Sequence, residues 1–230
     1  MQKPINFLEL IGRGKVPEVL VGTWIVMGLL LIFGFLARRS LAAAEDPIVP
    51  DSGVSLRSIS ETLVWWLDDF VHEVTELHHW RITVPFFGCI FMFILSANFF
   101  GLIPGMEPPT GDTDLTFALG VICFVYYFYY GISEQGAFKY LRTFLGPMLA
   151  FAPLMLVIEI ADNLGRPFSL GVRLYANMFA DHMVLGIFTN LTYLLIPLLF
   201  YSLGVIVCII QALVFTILSM AYVRLASHEH

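Results

Sequence analysis

The chain is 230 residues long, 58% hydrophobic and only 13% charged, with a net charge of −6 and a mean hydropathy of +0.82. A soluble globular domain is about 45–50% apolar and about 25% charged, so this composition excludes a core-and-surface domain and indicates a polytopic membrane protein. No P-loop, Gly-rich dinucleotide motif or nucleophile elbow occurs, which excludes nucleotide chemistry in this chain, and nothing implies a cofactor, a metal or nucleic acid.

Val19 to Leu36 is an uncharged stretch of about 18 residues, long enough to span a bilayer. A signal peptide carries its positive charges before a shorter apolar region; here Arg38 and Arg39 follow it, so a retained transmembrane helix is expected. The linker Ala42 to Ser55 holds Pro47, Pro50 and Gly53 and reads as loop, which makes 1–55 an N-terminal helix and linker ahead of a core at 56–230. Ser58 to Leu77 mixes Trp65, Trp66 and Phe70 with Asp68, Asp69 and Glu73, the pattern of an amphipathic helix lying on the membrane surface. His72, Glu73, Glu76, His78 and His79 cluster there without the spacing of a zinc protease and read as a solvated face.

Ile82 to Ile103 and Leu115 to Gly131 are the next two spans, joined by a loop with Glu107, Asp112 and Asp114. Cys89, Cys123 and Cys208 fall in apolar stretches and read as packing residues. Leu194 to Val223 is about 30 residues, or roughly 45 Å of helix, against a hydrocarbon core of about 30 Å. The segment Pro147 to Phe188 is longer still, with Pro153 and Pro167 as candidate kinks. The expected fold is all-α: five transmembrane helices plus one surface helix, the last two long and strongly tilted as a hairpin. Arg38, Arg39, Arg81, Lys139, Arg142 and Arg224 then share one side, the cytoplasm by the positive-inside rule. The N-terminus is outside, against the weak contrary signal of Lys3, Arg13 and Lys15, and the Asn190-Leu191-Thr192 sequon falls in a short outer turn.

Glu159, Asp162, Arg166, Ser169, Arg173, Asn177 and Asp181 are spaced 3, 4, 3, 4, 4 and 4 residues apart. On a helix the members from Glu159 to Asn177 lie within about 40° of Arg173 and form one hydrophilic strip. A charge near a bilayer centre is costly and survives with a partner or a wet cavity. Ser169 and Asn177 occupy the positions one turn either side of Arg173, so no carboxylate of its own helix is that near. Its counter-charge is expected on another polypeptide. His182, nine residues on, falls on the opposite face, and a histidine can relay protons. Asn98 and Gln211 stand alone in apolar helices; taken singly, each reads as an interhelical hydrogen-bonding residue.

Three blocks in register carry a resemblance: Asn98-Phe99-Phe100-Gly101-Leu102-Ile103-Pro104-Gly105, Pro167 through Met178, and Ile210-Gln211-Ala212-Leu213-Val214-Phe215-Thr216. In these the chain resembles the a subunit of the F-type ATP synthase membrane sector, from about Ser58 to Val223. The resemblance implies a stator subunit, not catalytic by itself, that forms two offset proton half-channels. Its implied partners are a c-subunit ring, b-type peripheral stalk subunits, the rest of the F1Fo complex, the lipid bilayer and the translocated proton. Arg173 matches the arginine that faces the c-ring carboxylates, with Asn177 and Gln211 near it. Glu159, with Asp162 and Ser169, matches the cytoplasmic route; Asn98, with Thr116, matches the outer one. His182 occupies a position of the outer relay. Relatives sometimes carry a second titratable group where Gly204 stands, so His182 with Asp181 is expected to carry more of it. A bacterial inner membrane is the expected location. Two other readings stand beside this one: a secondary transporter with an anion at Arg173, for which no internal repeat is visible, and a membrane anchor, which leaves the strip without a reason.

Overall fold

The computed structural model describes residues 17–42, 55–76, 80–103, 106–136, 152–191 and 195–228. They form six helices: α1 (Glu18–Ala42), α2 (Leu56–Thr75), α3 (Trp80–Gly101), α4 (Thr113–Gln135), α5 (Ala152–Leu191) and α6 (Leu195–His228), with one short 3-10 turn at Pro109–Gly111. The interior of the 42–55 linker, Lys139, Arg142, Pro147, His78, His79 and Thr192 lie outside the described residues.

Local chemistry sets the ends. Ser55 caps α2, its hydroxyl accepting from the Ser58 N–H at 3.2 Å, and the helix stops where Glu76 turns left-handed at φ 48°. Asp112 caps α4 by accepting from the Asp114 N–H at 2.8 Å; Gly136, at φ 80°, ends it. α1 runs past the expected Leu36 to Ala42 because arginine, leucine and alanine all favour helix and no breaker intervenes.

Pro167 does not end α5, which continues through it for 40 residues in all. Pro153 sits in the first turn, where a missing N–H costs nothing. At Pro167 the neighbouring helix comes very close. A Cβ on Gly120 would lie 2.6 Å from the Pro167 carbonyl oxygen, and one on Gly171 would lie 3.2 Å from that of Thr116. Small residues let α4 and α5 meet backbone to backbone, the membrane-type contact.

α6 packs antiparallel on α5. Asn177 meets Gln211, Asp181 meets Gly204, and the rings of Phe188 and Phe200 stack at 4.3 Å. Leu170, Leu174 and Met178 form the buried stripe of α5, against Ile94 of α3, Leu119 of α4 and Phe215 of α6. α2 lies against this bundle through Leu67 and Val71 while Trp65 stays 68% exposed.

Four helices among the described residues, α1, α3, α4 and most of α6, are long and apolar enough to cross a membrane. Their outward faces are greasy: Leu31, Phe35, Ile82 and Leu198 are all exposed. Lipid, not water, is the solvent that makes such a surface stable. α5 is long enough as well, but carries Glu159, Asp162, Arg166, Arg173 and Asp181.

One end of the bundle gathers the termini of α2, α4 and α6. Arg224 pairs with Glu76 at 2.5 Å, and the Gln135 amide donates to the Ala226 carbonyl at 2.6 Å. The other end gathers the start of α1, the 106–112 loop and His182.

Candidate functional site

The polar strip of α5 is exposed on the outside of the bundle. Asp162, Ser169, Arg173 and Asn177 are exposed, and Glu159 and Asp181 half-buried. Arg173 makes no ion pair with any carboxylate among the described residues, whereas Arg57, Arg166 and Arg224 each hold an acid at 2.7, 2.7 and 2.5 Å. Holding a bare guanidinium on an apolar surface is unfavourable unless something outside the chain completes it.

One turn beyond Arg173, the Asn177 amide donates to the Gln211 Oε1 at 2.5 Å. Gln211 is buried, and its Nε2 finds no acceptor among the described residues. This pair is a direct hydrogen bond between two sequence-predicted site residues. It leaves a buried donor, Gln211 Nε2, where α5 and α6 meet, at the level of Asn177 one turn beyond Arg173.

A turn further on, the Asp181 carboxylate rests over Gly204. A Cβ there would sit 3.1 Å from Asp181 Oδ2 and 2.9 Å from a Leu102 methyl. Gly204 thus makes the room that brings the acid of α5 against α6. His182 points elsewhere, into a cavity of about 310 Å³ whose polar lining is Glu18, Glu107, Asp112 and His182. Those three acids come from the start of α1 and from the α3–α4 loop, far apart in sequence.

Asn98 and Thr116 are fully buried. Asn98 accepts from the Thr110 hydroxyl at 2.7 Å and donates to the Cys208 carbonyl at 3.4 Å. Thr116 donates back to the carbonyls of Asp112 and Thr113 on its own helix at 3.1 and 3.0 Å. In this structure both side chains are engaged by protein groups and neither lines the cavity beside His182.

Towards the other end, Asp162 and Arg166 pair one turn apart at 2.7 Å. Glu159 accepts a hydrogen bond from Asn163 Nδ2 at 3.2 Å. Asn163 in turn accepts from the Tyr127 hydroxyl of α4. Sequence reasoning passed over Asn163 and Tyr127. The i, i+4 spacing of Asn163 from Glu159 is a signal that could have found the first. Tyr127 is one of four tyrosines in Tyr126 to Tyr130, and no periodicity singles it out. Glu18 and the role of Glu107 and Asp112 beside His182 were equally hidden, because only the tertiary fold brings them together.

Residues 20–224 match the family model described as ATP synthase A chain. Among similar curated proteins, ATP synthase subunit a of Bdellovibrio bacteriovorus is 44% identical over 198 residues, 86% of each chain. That of Geotalea uraniireducens is 38% identical over 207 residues, covering 90% of this chain and 86% of its own. That of Geobacter sulfurreducens is 36% identical over 232 residues, covering 97% of both.

Proposed function

The chain belongs to the ATP synthase A chain family, the proton-translocating stator subunits of the membrane sector, and from that premise we propose that two offset half-channels meet at its Arg173. It is a membrane channel component within the F1Fo complex, not a catalytic subunit. The family match does not support the anion-transporter reading.

The observation that carries the mechanism is Arg173 on an exposed helix face with no ion pair to a carboxylate among the described residues. We read its counter-charges as carboxylates of a c-subunit ring passing one at a time. α5 crosses as well, which brings the crossings to five, and α5 with α6 forms a tilted hairpin against that ring. Residues 56–230 form the working core behind the helix and linker of 1–55, and b-type stalk subunits hold the stator. The membrane is that of a bacterium, its inner membrane, with the N-terminus outside and the C-terminus in the cytoplasm. The basic ends of α1 and α6 and the acidic 107–114 loop support this orientation.

A proton enters from outside through the acid-lined cavity at His182 and passes to Asp181, seated over Gly204, and on by the Gln211–Asn177 pair. Asn98 and Thr116 support the outer wall, Asn98 by tying α3 to α6. The arriving proton neutralises a ring carboxylate, which can then turn into lipid, since a neutral acid costs far less there than an ion. On the other side a ring carboxylate loses its proton along Ser169, Asp162 and Glu159. Arginine stays protonated at any accessible pH, so Arg173 favours the ionised ring carboxylate and blocks a direct leak between the routes. The membrane potential supplies about 2.3 kcal/mol per proton per 100 mV.

The test is ATP-driven proton pumping in vesicles carrying the whole complex, wild type against Arg173→Ala. Pumping is expected to vanish with assembly intact. Wild-type-like coupling would return Arg173 to a packing role.

A further inference from the structure

We propose that Tyr127, Asn163 and Arg166 are positioning residues that hold Glu159 as the proton acceptor of the cytoplasmic half-channel. This deepens the function proposed above and rests on its assignment of Glu159 to that route.

The argument is one of hydrogen-bond polarity. A guanidinium has donors and no acceptor. Arg166 Nη1 donates to the Tyr127 hydroxyl oxygen at 3.2 Å. The phenol must therefore turn its own hydrogen elsewhere, and it donates to Asn163 Oδ1. With its oxygen committed, the Asn163 amide can present only N–H groups to its own helix. Nδ2 donates to the Glu159 carbonyl at 2.8 Å and to Glu159 Oε1 at 3.2 Å. The charge on Arg166 thus fixes the direction of every later bond, and the chain ends on one oxygen of a carboxylate.

Burial makes the chain rigid. Asn163 is 3% exposed and Tyr127 4%. The Arg166 guanidinium lies 5.5 Å from the ring centroids of both Tyr127 and Tyr222, between α4 and α6. A glutamate on a helix surface has several rotamers; this one is anchored to a neighbouring helix through two buried side chains. Proton transfer depends on such placement, because a misplaced acceptor loses rate steeply.

The same arginine divides labour between two acids. Glu159, Asp162 and Arg166 carry formal charges that sum to −1, and the Asp162–Arg166 pair at 2.7 Å is neutral as a unit. The remaining negative charge belongs to Glu159. Asp162 stays on the route while it pairs with Arg166, and Glu159 is the acid whose charge neither of the other two offsets.

The experiment is a double-mutant cycle on passive proton flux in vesicles of the full complex, with assembly checked by copurification. Tyr127→Phe keeps the ring and the cation–π contact and removes only the hydroxyl. It is expected to slow flux by about 3- to 10-fold, the range of one hydrogen bond. Glu159→Gln is expected to slow it more, and the double variant no further than Glu159→Gln alone, because Tyr127 acts through Glu159. Flux against cytoplasmic-side pH is read in the same vesicles. Among the described residues, the charged and titratable groups in contact with this hydrogen-bonded chain are Glu159, Asp162 and Arg166 of α5, Tyr127 of α4 and Tyr222 of α6. The profile of Tyr127→Phe should differ from wild type. That of Tyr126→Phe, a control whose ring stacks on Phe86 at 3.6 Å, should overlay it. Losses that multiply in the double variant, or an unmoved pH profile, would overturn the positioning role while leaving the route through Glu159 standing. Wild-type flux in Glu159→Gln would overturn both.

Discussion

Arg166 and Arg173 stand two turns apart on one helix and have opposite surroundings. Arg166 holds Asp162, touches the Tyr127 hydroxyl and lies between two phenol rings. Arg173 is exposed and has no carboxylate within reach among the described residues. Helical spacing puts both on the same strip, so amphipathicity does not separate them. What separates them is whether the fold supplies the counter-charge. A self-sufficient arginine fastens helices together; one left incomplete is available to a partner that arrives and leaves.

Giving Arg173 an acid of its own breaks that difference most directly. Ser169→Asp places a carboxylate four residues before Arg173, the spacing by which Asp162 holds Arg166. A permanent local pair competes with every passing ring carboxylate. ATP-driven pumping is expected to fall by at least about 10-fold, the effect of roughly 1.4 kcal/mol of lost interaction, while the complex still assembles. Pumping near the wild-type rate would show that the strip tolerates a committed Arg173, and the contrast with Arg166 would lose its functional meaning.

Removing Arg166 costs stability in addition to releasing the Tyr127–Asn163 chain that holds Glu159. Arg166→Ala loses two cation–π contacts, worth about 0.5–1 kcal/mol each at partly exposed sites, and frees Asp162, which is exposed enough to be solvated. A loss of about 1–2 kcal/mol is expected, seen as a lower midpoint in thermal unfolding of the detergent-solubilised complex. Arg173→Ala under the same conditions should leave the midpoint nearly unchanged. Equal shifts in the two variants would erase the distinction between fastener and gate.

The sequence made the membrane class, the element order and the α5 strip legible because all three are local: composition, run length and i, i+4 spacing. Arg173 stood out for a related reason, since the lack of an acid one turn away is visible without a structure. Pairings between helices were not legible. Nothing in Gly204 says that Asp181 will rest on it, or in Glu18 that it will share a cavity with Glu107 and His182. Pro167 reads as a candidate kink because a proline costs a helix one hydrogen bond. The helix nevertheless continues through it, and what lies against that point is the glycine contact from α4, a tertiary fact. Asn98 and Thr116 illustrate the converse. Their polarity marked them out, and the structure shows each already engaged by protein groups, Asn98 across to α6 and Thr116 within its own helix.

The third arginine pair bounds the comparison from below. Arg224 and Glu76 meet at 2.5 Å, but their side chains are 40% and 59% exposed, at the end of the bundle. Water and salt screen such a pair, and exposed pairs are worth about 0–1 kcal/mol. Arg224→Ala should therefore shift the unfolding midpoint little, and less at high salt, without changing pumping. The Gln135 amide, which holds the Ala226 carbonyl at 2.6 Å, still ties the end of α6 to α4 in that variant. A shift as large as that of Arg166→Ala would mean that burial is not what separates a structural arginine from a surface one, and the ranking of all three would have to rest on helix contacts instead.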